Sequence, residues 1–278
     1  MSRGLASILP DVLASVNDGH YNVPDRRKRD PVSLVSRIRA CGPEGPFPLI
    51  AECKPRAPSY QKAAKVRPED ALALYLRSRL AGVSILTEPK HFGGSLDALS
   101  GAHETTASPR SDAVPLLMKD FLLLPDQVQA GYRSGADAAL VIVKAFDGGW
   151  QDARLDTVLR EIKKTGMEAL VEVASEKEYL VALHRKLPLV GINNRDLWSM
   201  RLDVGLAARL LRDYGKTGAV VAMSGYDTAE QMAGAISAGA DAVLVGTSLM
   251  MADDPGALLK EACAKTGRAV PHAAANAG

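Results

Sequence analysis

The amino-acid sequence predicts an α/β fold, a (β/α)8 TIM barrel with an N-terminal helical extension, and three observations predict it. Apolar runs of strand length alternate with helix-length segments from about residue 48 onward. The ends of eight such runs, at Lys54, Thr87, Lys119, Lys144, Glu172, Asn193, Ser224 and Gly246, step by 21 to 33 residues. Charged or polar groups close most of them, where a parallel strand buried on both faces leaves the sheet. Eight units favour a closed barrel over an open doubly wound sheet, and the first turn lacks the glycine pattern of a dinucleotide site. In a barrel these ends converge on the face where the chemistry sits.

In chain order, residues 1–45 are expected to form the extension, 46–266 the barrel and 267–278 a flexible tail. The extension holds two amphipathic helices, Leu5–Val16 and Val32–Ala40, the second begun by Asp30-Pro31 as cap and first-turn proline. Cys41 to Pro46 is a breaker-rich linker. Strands are expected at Leu49–Glu52, Val83–Thr87, Leu116–Lys119, Ala139–Val143, Ala169–Glu172, Leu189–Asn193, Ala219–Ala222 and Ala242–Gly246. Helices between them are expected at Glu69–Ala81, Asp126–Ser134, Ala153–Thr165, Glu176–His184, Val204–Tyr214 and Thr228–Ala238. The segments Ala-Gly-Val at Ala81, Ser-Gly-Ala-Asp at Ser134 and Ala-Gly-Ala-Asp at Ala238 should close three helices, glycine taking the left-handed cap.

Bulk properties narrow the function. The 278 residues are 47% apolar and 24% charged, ordinary for a soluble globular chain, and a net charge of +2 gives no footing for a nucleic-acid partner. The run Arg26-Arg27-Lys28-Arg29, flanked by Asp25 and Asp30, is expected to be a solvated loop. Three scattered cysteines, Cys41, Cys53 and Cys263, form neither a disulfide framework nor a zinc site, and the five histidines lack ligand spacing, so no metal is expected. No apolar stretch is long enough to span a membrane, and Pro10 and Asp11 spoil the N-terminal segment as a signal peptide, so a cytoplasmic location is expected. The expected state is a monomer, with a dimer as the alternative.

Glu52 and Lys54 lie two apart and share one side of their strand, so they can pair. Cys53 between them should point the other way, into the core. Lys119 enters the same mouth from the third strand and Glu172 from the fifth. Two lysines facing two carboxylates suit acid–base chemistry on an anionic substrate; the alternative is a ring of rim salt bridges. Asn193, ending the sixth strand, can hydrogen-bond a substrate hydroxyl. Ser224-Gly225 and Gly246-Thr247-Ser248 follow the last two strands, where barrels often bind phosphate, although ordinary turns look alike. Lys144 either joins the positive mouth or pairs with a nearby carboxylate, and Trp150 and Trp198 are read as rim residues, with substrate stacking the alternative.

Together these residues resemble the indole-3-glycerol phosphate synthase family, from about Leu49 to Leu259. The resemblance rests on the stretches Ile50–Lys54, Ser84–Ser95, Met118–Phe121, Leu170–Val173, Gly191–Leu197 and Val245–Met250, of which the second and fifth are long and specific. It implies ring closure of 1-(2-carboxyphenylamino)-1-deoxyribulose 5-phosphate, a phosphorylated small molecule, without a cofactor. By resemblance, Lys119 is the general acid and Lys54, oriented by Glu52, holds the departing carboxylate. Glu172 is the base or proton shuttle of the dehydration, and Asn193 and Arg195 fix hydroxyls and a loop. Ser224, Gly225, Gly246 and Thr247 line the phosphate site, and Pro58, Phe121 and Leu197 wall the aromatic ring, with Phe92 counted among the binding residues.

Two departures stand out. Ala57 stands where the family carries a serine, and Met223 where it carries a glutamate. Losing one preorganised hydrogen-bonding group can cost about 10²–10³ in rate. Two further expectations therefore stand beside a working synthase. One is a diverged enzyme acting on a related arylamino or sugar phosphate, its pocket reshaped by the flexible Met223. The other is a non-catalytic barrel that binds a phosphorylated ligand.

Overall fold

Eight parallel strands close on themselves in sequence order: β1 (Phe47–Cys53), β2 (Leu80–Leu86), β3 (Leu116–Lys119), β4 (Ala138–Ile142), β5 (Glu168–Val173), β6 (Leu189–Asn193), β7 (Ala219–Met223) and β8 (Ala242–Val245), with β8 pairing back onto β1. The computed structural model describes residues 4–56, 64–107 and 113–266. The TIM barrel expected from the strand spacing is thus the fold. The expected tail, and the positions Ala57 and Pro58, lie outside the described residues.

All eight strand expectations fall on strands, because each run is apolar on both faces and long enough for one pass through the barrel. The six expected helices also appear, most with ends shifted by a residue or two. The exception is the helix begun at Pro68, which stops at Arg77 rather than Ala81. Leu80, Ala81 and Gly82 open β2 instead, so the Ala-Gly-Val segment closes no helix. The other two closing glycines do take the left-handed conformation, Gly135 at φ +94° and Gly239 at φ +107°. Further helices at Leu96–Thr106 and Pro255–Lys265 were not anticipated. Their apolar stripes are weak, but Ser95 and Asp254 cap them through side-chain hydrogen bonds, and that cue is local.

The extension wraps the barrel from top to bottom. Helix Leu5–Asn17 lies across the mouth, where the Leu5 N–H donates to Leu197 O at 2.8 Å and His91 Nε2 sits 3.0 Å from Asp11 Oδ2. The chain then descends the flank through the basic run, a loop that is solvated at Arg26 and Lys28 but not at Arg27 and Arg29. Arg26 pairs with Asp97 at 2.6 Å, the Arg27 guanidinium lies 4.4 Å over the Tyr132 ring, and Arg29 grips Asp137 with two bonds of 2.6 and 2.8 Å. Buried acceptors on the barrel draw Arg27 and Arg29 in, which the run's composition does not reveal, while Arg26 and Lys28 stay exposed. Helix Leu34–Arg39 then packs against β2 and β7 at the lower end, with Leu34 above Gly82 and Ile50. Its cap is Ser33, whose hydroxyl accepts from the Ser36 N–H at 2.9 Å, rather than the expected Asp30-Pro31.

Two aspartates of the repeated Gly-Ala-Asp segments do the same local work. Asp137 accepts the Leu116 N–H that opens β3, and Asp241 accepts the Val220 N–H near the start of β7. Asp137 is fully buried and also receives Arg29 and the Val32 N–H. Its loss would strand a mostly buried guanidinium. Asp137→Ala is therefore expected to destabilise the fold by about 3 kcal/mol, read as the shift in a urea midpoint at unchanged slope. A shift under about 1 kcal/mol, the range of exposed pairs, would show the pair to be ornamental.

Candidate active site

Strand alternation carries the site. Glu52 points into the barrel and Lys54 follows it on the same side, while Cys53 turns outward to the helix begun at Pro68, its Sγ 3.4 Å from Pro68 O. Burial, with Glu52 and Glu69 nearby, pushes the Cys53 thiol up to about 12, so it is a core residue and not a nucleophile. Lys54 Nζ stands 2.8 Å from Glu52 Oε1. Across the mouth, Lys119 Nζ stands 3.9 Å from Glu172 Oε2, beyond hydrogen-bond reach. Asn193 Nδ2 donates to Glu172 Oε1 at 2.8 Å. The second oxygens, Glu52 Oε2 and Glu172 Oε2, are buried without a hydrogen-bond partner.

The two carboxylates are equally deep but titrate apart. Burial alone would raise Glu52, yet Lys54 and Lys119 outweigh it and hold that carboxyl below its ordinary value. Burial dominates at Glu172 and raises it, against the pull of Lys119 and Asn193 and with Glu52 and Glu178 pushing the same way. One carboxylate is thus kept ionised and the other made proton-avid, a division suited to separate acid–base roles.

Around these pairs lies a cavity of about 360 Å³. Every described site residue expected from the sequence lines it: Glu52, Lys54, Lys119, Glu172, Asn193 and Arg195 supply the charged and polar lining. Phe92, Phe121 and Leu197 form an apolar wall, the two phenyl rings tilted at 42° with centroids 6.0 Å apart. Ser224, Gly225, Gly246 and Thr247 complete the rim. Ser224 is held at φ +69°, a conformation that costs a non-glycine residue about 1 kcal/mol or more. Asn194 sustains it, donating to Ser224 O and to the Tyr226 hydroxyl at 3.0 Å each. Gly246 has a separate reason to be glycine: a Cβ there would fall 2.6 Å from Glu52 Oε1.

Other expectations are corrected or resolved. Lys144 ion-pairs with Asp196 and does not line the cavity; with two backbone N–H groups also on Asp196, it braces the loop after β6. Burial works against Asp196, but the Lys144 bond and the Ser199 N–H bring it down to about 2. Trp150 is no rim residue: it is buried, donates to Glu178 O at 3.2 Å and lies under the Arg185 guanidinium. Trp198 is exposed at the rim. Met223 is among the lining residues, and the reshaped-pocket expectation requires its side chain to face the mouth. Its thioether is folded down, however, with Sδ and Cε packed over Gly191 one layer below the mouth, where it makes an apolar floor.

Sequence reasoning missed Leu5 and Ile8, which reach the cavity from the extension, and Asp120 and Tyr226, which line it beside expected residues. Asp120 follows Lys119 directly, and that adjacency was its only signal. No His/Cys/Asp/Glu cluster able to hold a metal ion occurs among the described residues, and none of their helices is long and apolar enough to cross a membrane.

Comparison with known proteins agrees with this geometry. Solved structures share the architecture at low identity. Examples are 3-hexulose-6-phosphate synthase from Salmonella typhimurium (TM-score 0.58, 12% identity, 79% of this chain and 98% of that one) and tryptophan synthase subunit alpha from Legionella pneumophila str. Paris (TM-score 0.55, 15% identity, 79% and 92%). At such identities the likeness is one of fold alone. Sequence relatives are nearer. The indole-3-glycerol phosphate synthase of Roseiflexus sp. is 38% identical over 273 residues, covering 94% of this chain and 98% of the relative. That of Opitutus terrae is 36% identical over 241 residues, 85% and 87% of the two chains. The family profile for indole-3-glycerol phosphate synthase matches residues 6–262. The chain belongs to the indole-3-glycerol phosphate synthase family.

Proposed function

We propose that the protein closes the indole ring of 1-(2-carboxyphenylamino)-1-deoxyribulose 5-phosphate, giving indole-3-glycerol phosphate, carbon dioxide and water. The observation that carries this is the pair of opposed couples, Lys54 with Glu52 and Lys119 with Glu172, aimed into one cavity. Cations facing a doubly anionic substrate bind it, and two carboxylates of different proton affinity divide the proton transfers.

In this scheme Lys119 gives a proton to the carbonyl oxygen as the ring carbon attacks the carbonyl carbon. Lys54, steadied by Glu52, holds the carboxylate; the bond to it breaks, its electrons return to the ring, and carbon dioxide leaves. Glu172 then accepts the carbon-bound proton and passes one to the hydroxyl, which departs as water. Asn193 keeps Glu172 in place and offers its amide to a hydroxyl. Ser224, Gly225, Gly246 and Thr247 receive the phosphate, and Phe92, Phe121 and Leu197 flank the aromatic ring.

The test is a direct assay with that substrate, following indole fluorescence, beside a binding titration. Turnover of about 1 s⁻¹ or more is the expected result. Binding without turnover would favour the diverged reading. Restoration of the reaction by Ala57→Ser with Met223→Glu would then assign the loss to those two positions.

A further inference from the structure

Beneath the apolar wall sits a buried polar cluster that the reaction scheme leaves unused. Asp120 is 2% exposed, and its two oxygens receive three donors, one of them shared between both. The Tyr21 hydroxyl lies 3.1 Å from both, Thr87 Oγ1 donates to Oδ2 at 2.5 Å, and the Phe121 N–H donates to Oδ1 at 2.8 Å. Thr87 is tied to the same stretch a second time, since its N–H donates to Lys119 O at 3.1 Å. The residues on both sides of Asp120 are the general acid and one of the two aromatic rings of the wall. Tyr21 comes from the extension and is itself 4% exposed. The other ring is linked through Glu88, next to Thr87, whose carboxylate accepts the Lys90, His91 and Phe92 N–H groups.

We propose that Tyr21 is a positioning residue for the reaction: through Asp120 its hydroxyl fixes the backbone that carries Lys119 and Phe121. The proposal rests on the ring-closure reading only for its kinetic consequence. A hydroxyl that reaches both oxygens of a buried carboxylate sets that carboxylate's rotation, and the rotation sets where the Thr87 and Phe121 donors must lie. Lys119 must meet a carbonyl oxygen at hydrogen-bond distance, where small displacements are costly in rate. The extension is thereby joined to the general acid across a sequence separation of 99 residues.

The cluster also carries a pH dependence. Burial raises Asp120 to about 6, against the Thr87, Phe121 and Tyr21 bonds and with Glu88 pushing it further up. Burial and Asp120 itself hold the Tyr21 phenol far above its ordinary value, so it donates throughout. The groups facing Asp120 are Tyr21 from the extension, Thr87 and Glu88 from the end of β2, and its neighbour Lys119, which points to Glu172; the Gln127 amide bonds Tyr21. Protonating Asp120 turns an acceptor into a donor and displaces one of the three donors. Ordering by the cluster is therefore present above that pKa and lost as pH falls through it.

Tyr21→Phe keeps the ring and removes the hydroxyl. Its kcat should fall roughly 10- to 100-fold with KM nearly unchanged. Because a bond that lowers the Asp120 pKa is gone, Asp120 should titrate at higher pH than in the wild type. Carbon-13 NMR of the Asp120 carboxyl and the Phe121 amide signal read this without turnover. The expected result is a common titration of the two signals, moved upward in Tyr21→Phe. Asp120→Asn, near-isosteric, should abolish that titration at the Phe121 amide and lower kcat likewise. A Phe121 amide indifferent to Asp120, or a Tyr21→Phe enzyme with wild-type kcat and an unmoved titration, would overturn the proposal. A wild type without turnover would overturn the ring-closure reading instead, and the NMR titration would still decide the coupling.

Discussion

Replacing Lys119 by alanine is expected to lower kcat by about 10²–10⁴-fold while ligand affinity changes little. Lys119 stands against the proton-avid carboxylate rather than in a tight pair: it is 3.9 Å from Glu172 Oε2, whereas Lys54 is 2.8 Å from Glu52 Oε1. A lysine held loosely can swing its proton to a substrate oxygen, and Lys54 and Arg195 remain in the cavity to bind an anion. The substitution has a second signature. Lys119 lowers both Glu52 and Glu172, so without it both carboxyls hold their protons to higher pH. The acid side of the residual rate profile should move upward in pH. A raised KM at unchanged kcat would reduce Lys119 to a binding residue.

Glu172→Gln is the second large effect, expected at about 10²-fold or more in kcat. Glutamine keeps the shape and still accepts from Asn193, so the loss isolates proton transfer. If Glu172 serves the dehydration, the earlier carbon dioxide release should survive. In a single turnover, labelled carbon dioxide should therefore appear ahead of indole fluorescence. The pH sign follows from burial. With its pKa raised, Glu172 is protonated at low pH and cannot accept a proton, so the wild-type rate rises as pH climbs through that pKa. In Glu172→Gln this rise should vanish, leaving only the fall near pH 6 set by Asp120. Carbon dioxide and indole appearing together at the same reduced rate would place Glu172 before the decarboxylation instead.

Much of this site was legible in the chain because strand alternation is a rigid rule. A residue's place at the end of a buried run decides both that it reaches the mouth and which way it points. Glu52, Lys54, Lys119, Glu172 and Asn193 were found in that way, and Cys53 was correctly turned outward. Local chemistry fared similarly at Gly135 and Gly239, where only a left-handed residue ends the helix. Reasoning failed where the deciding partner is remote. The boundary at Leu80 moved because burial by the Leu34 helix, not helical period, rules that stretch. Arg29 left the solvent because Asp137, more than a hundred residues away, is buried and needs a cation. Lys144 was left open between two fates until Asp196 came within reach.

The sequence by itself determined the barrel, its eight strand ends and the residue types at the mouth, since these follow from period, burial and the cost of charge in an apolar run. Only the tertiary structure decided how those residues act on one another. It paired Lys54 tightly and Lys119 loosely, which splits the two carboxylates' proton affinities. It laid the extension over the mouth with Leu5 and Ile8 inside the cavity, and it set Tyr21 against Asp120. Electrostatic coupling depends on distances of a few ångströms between residues far apart in the chain, and no local pattern encodes such a distance.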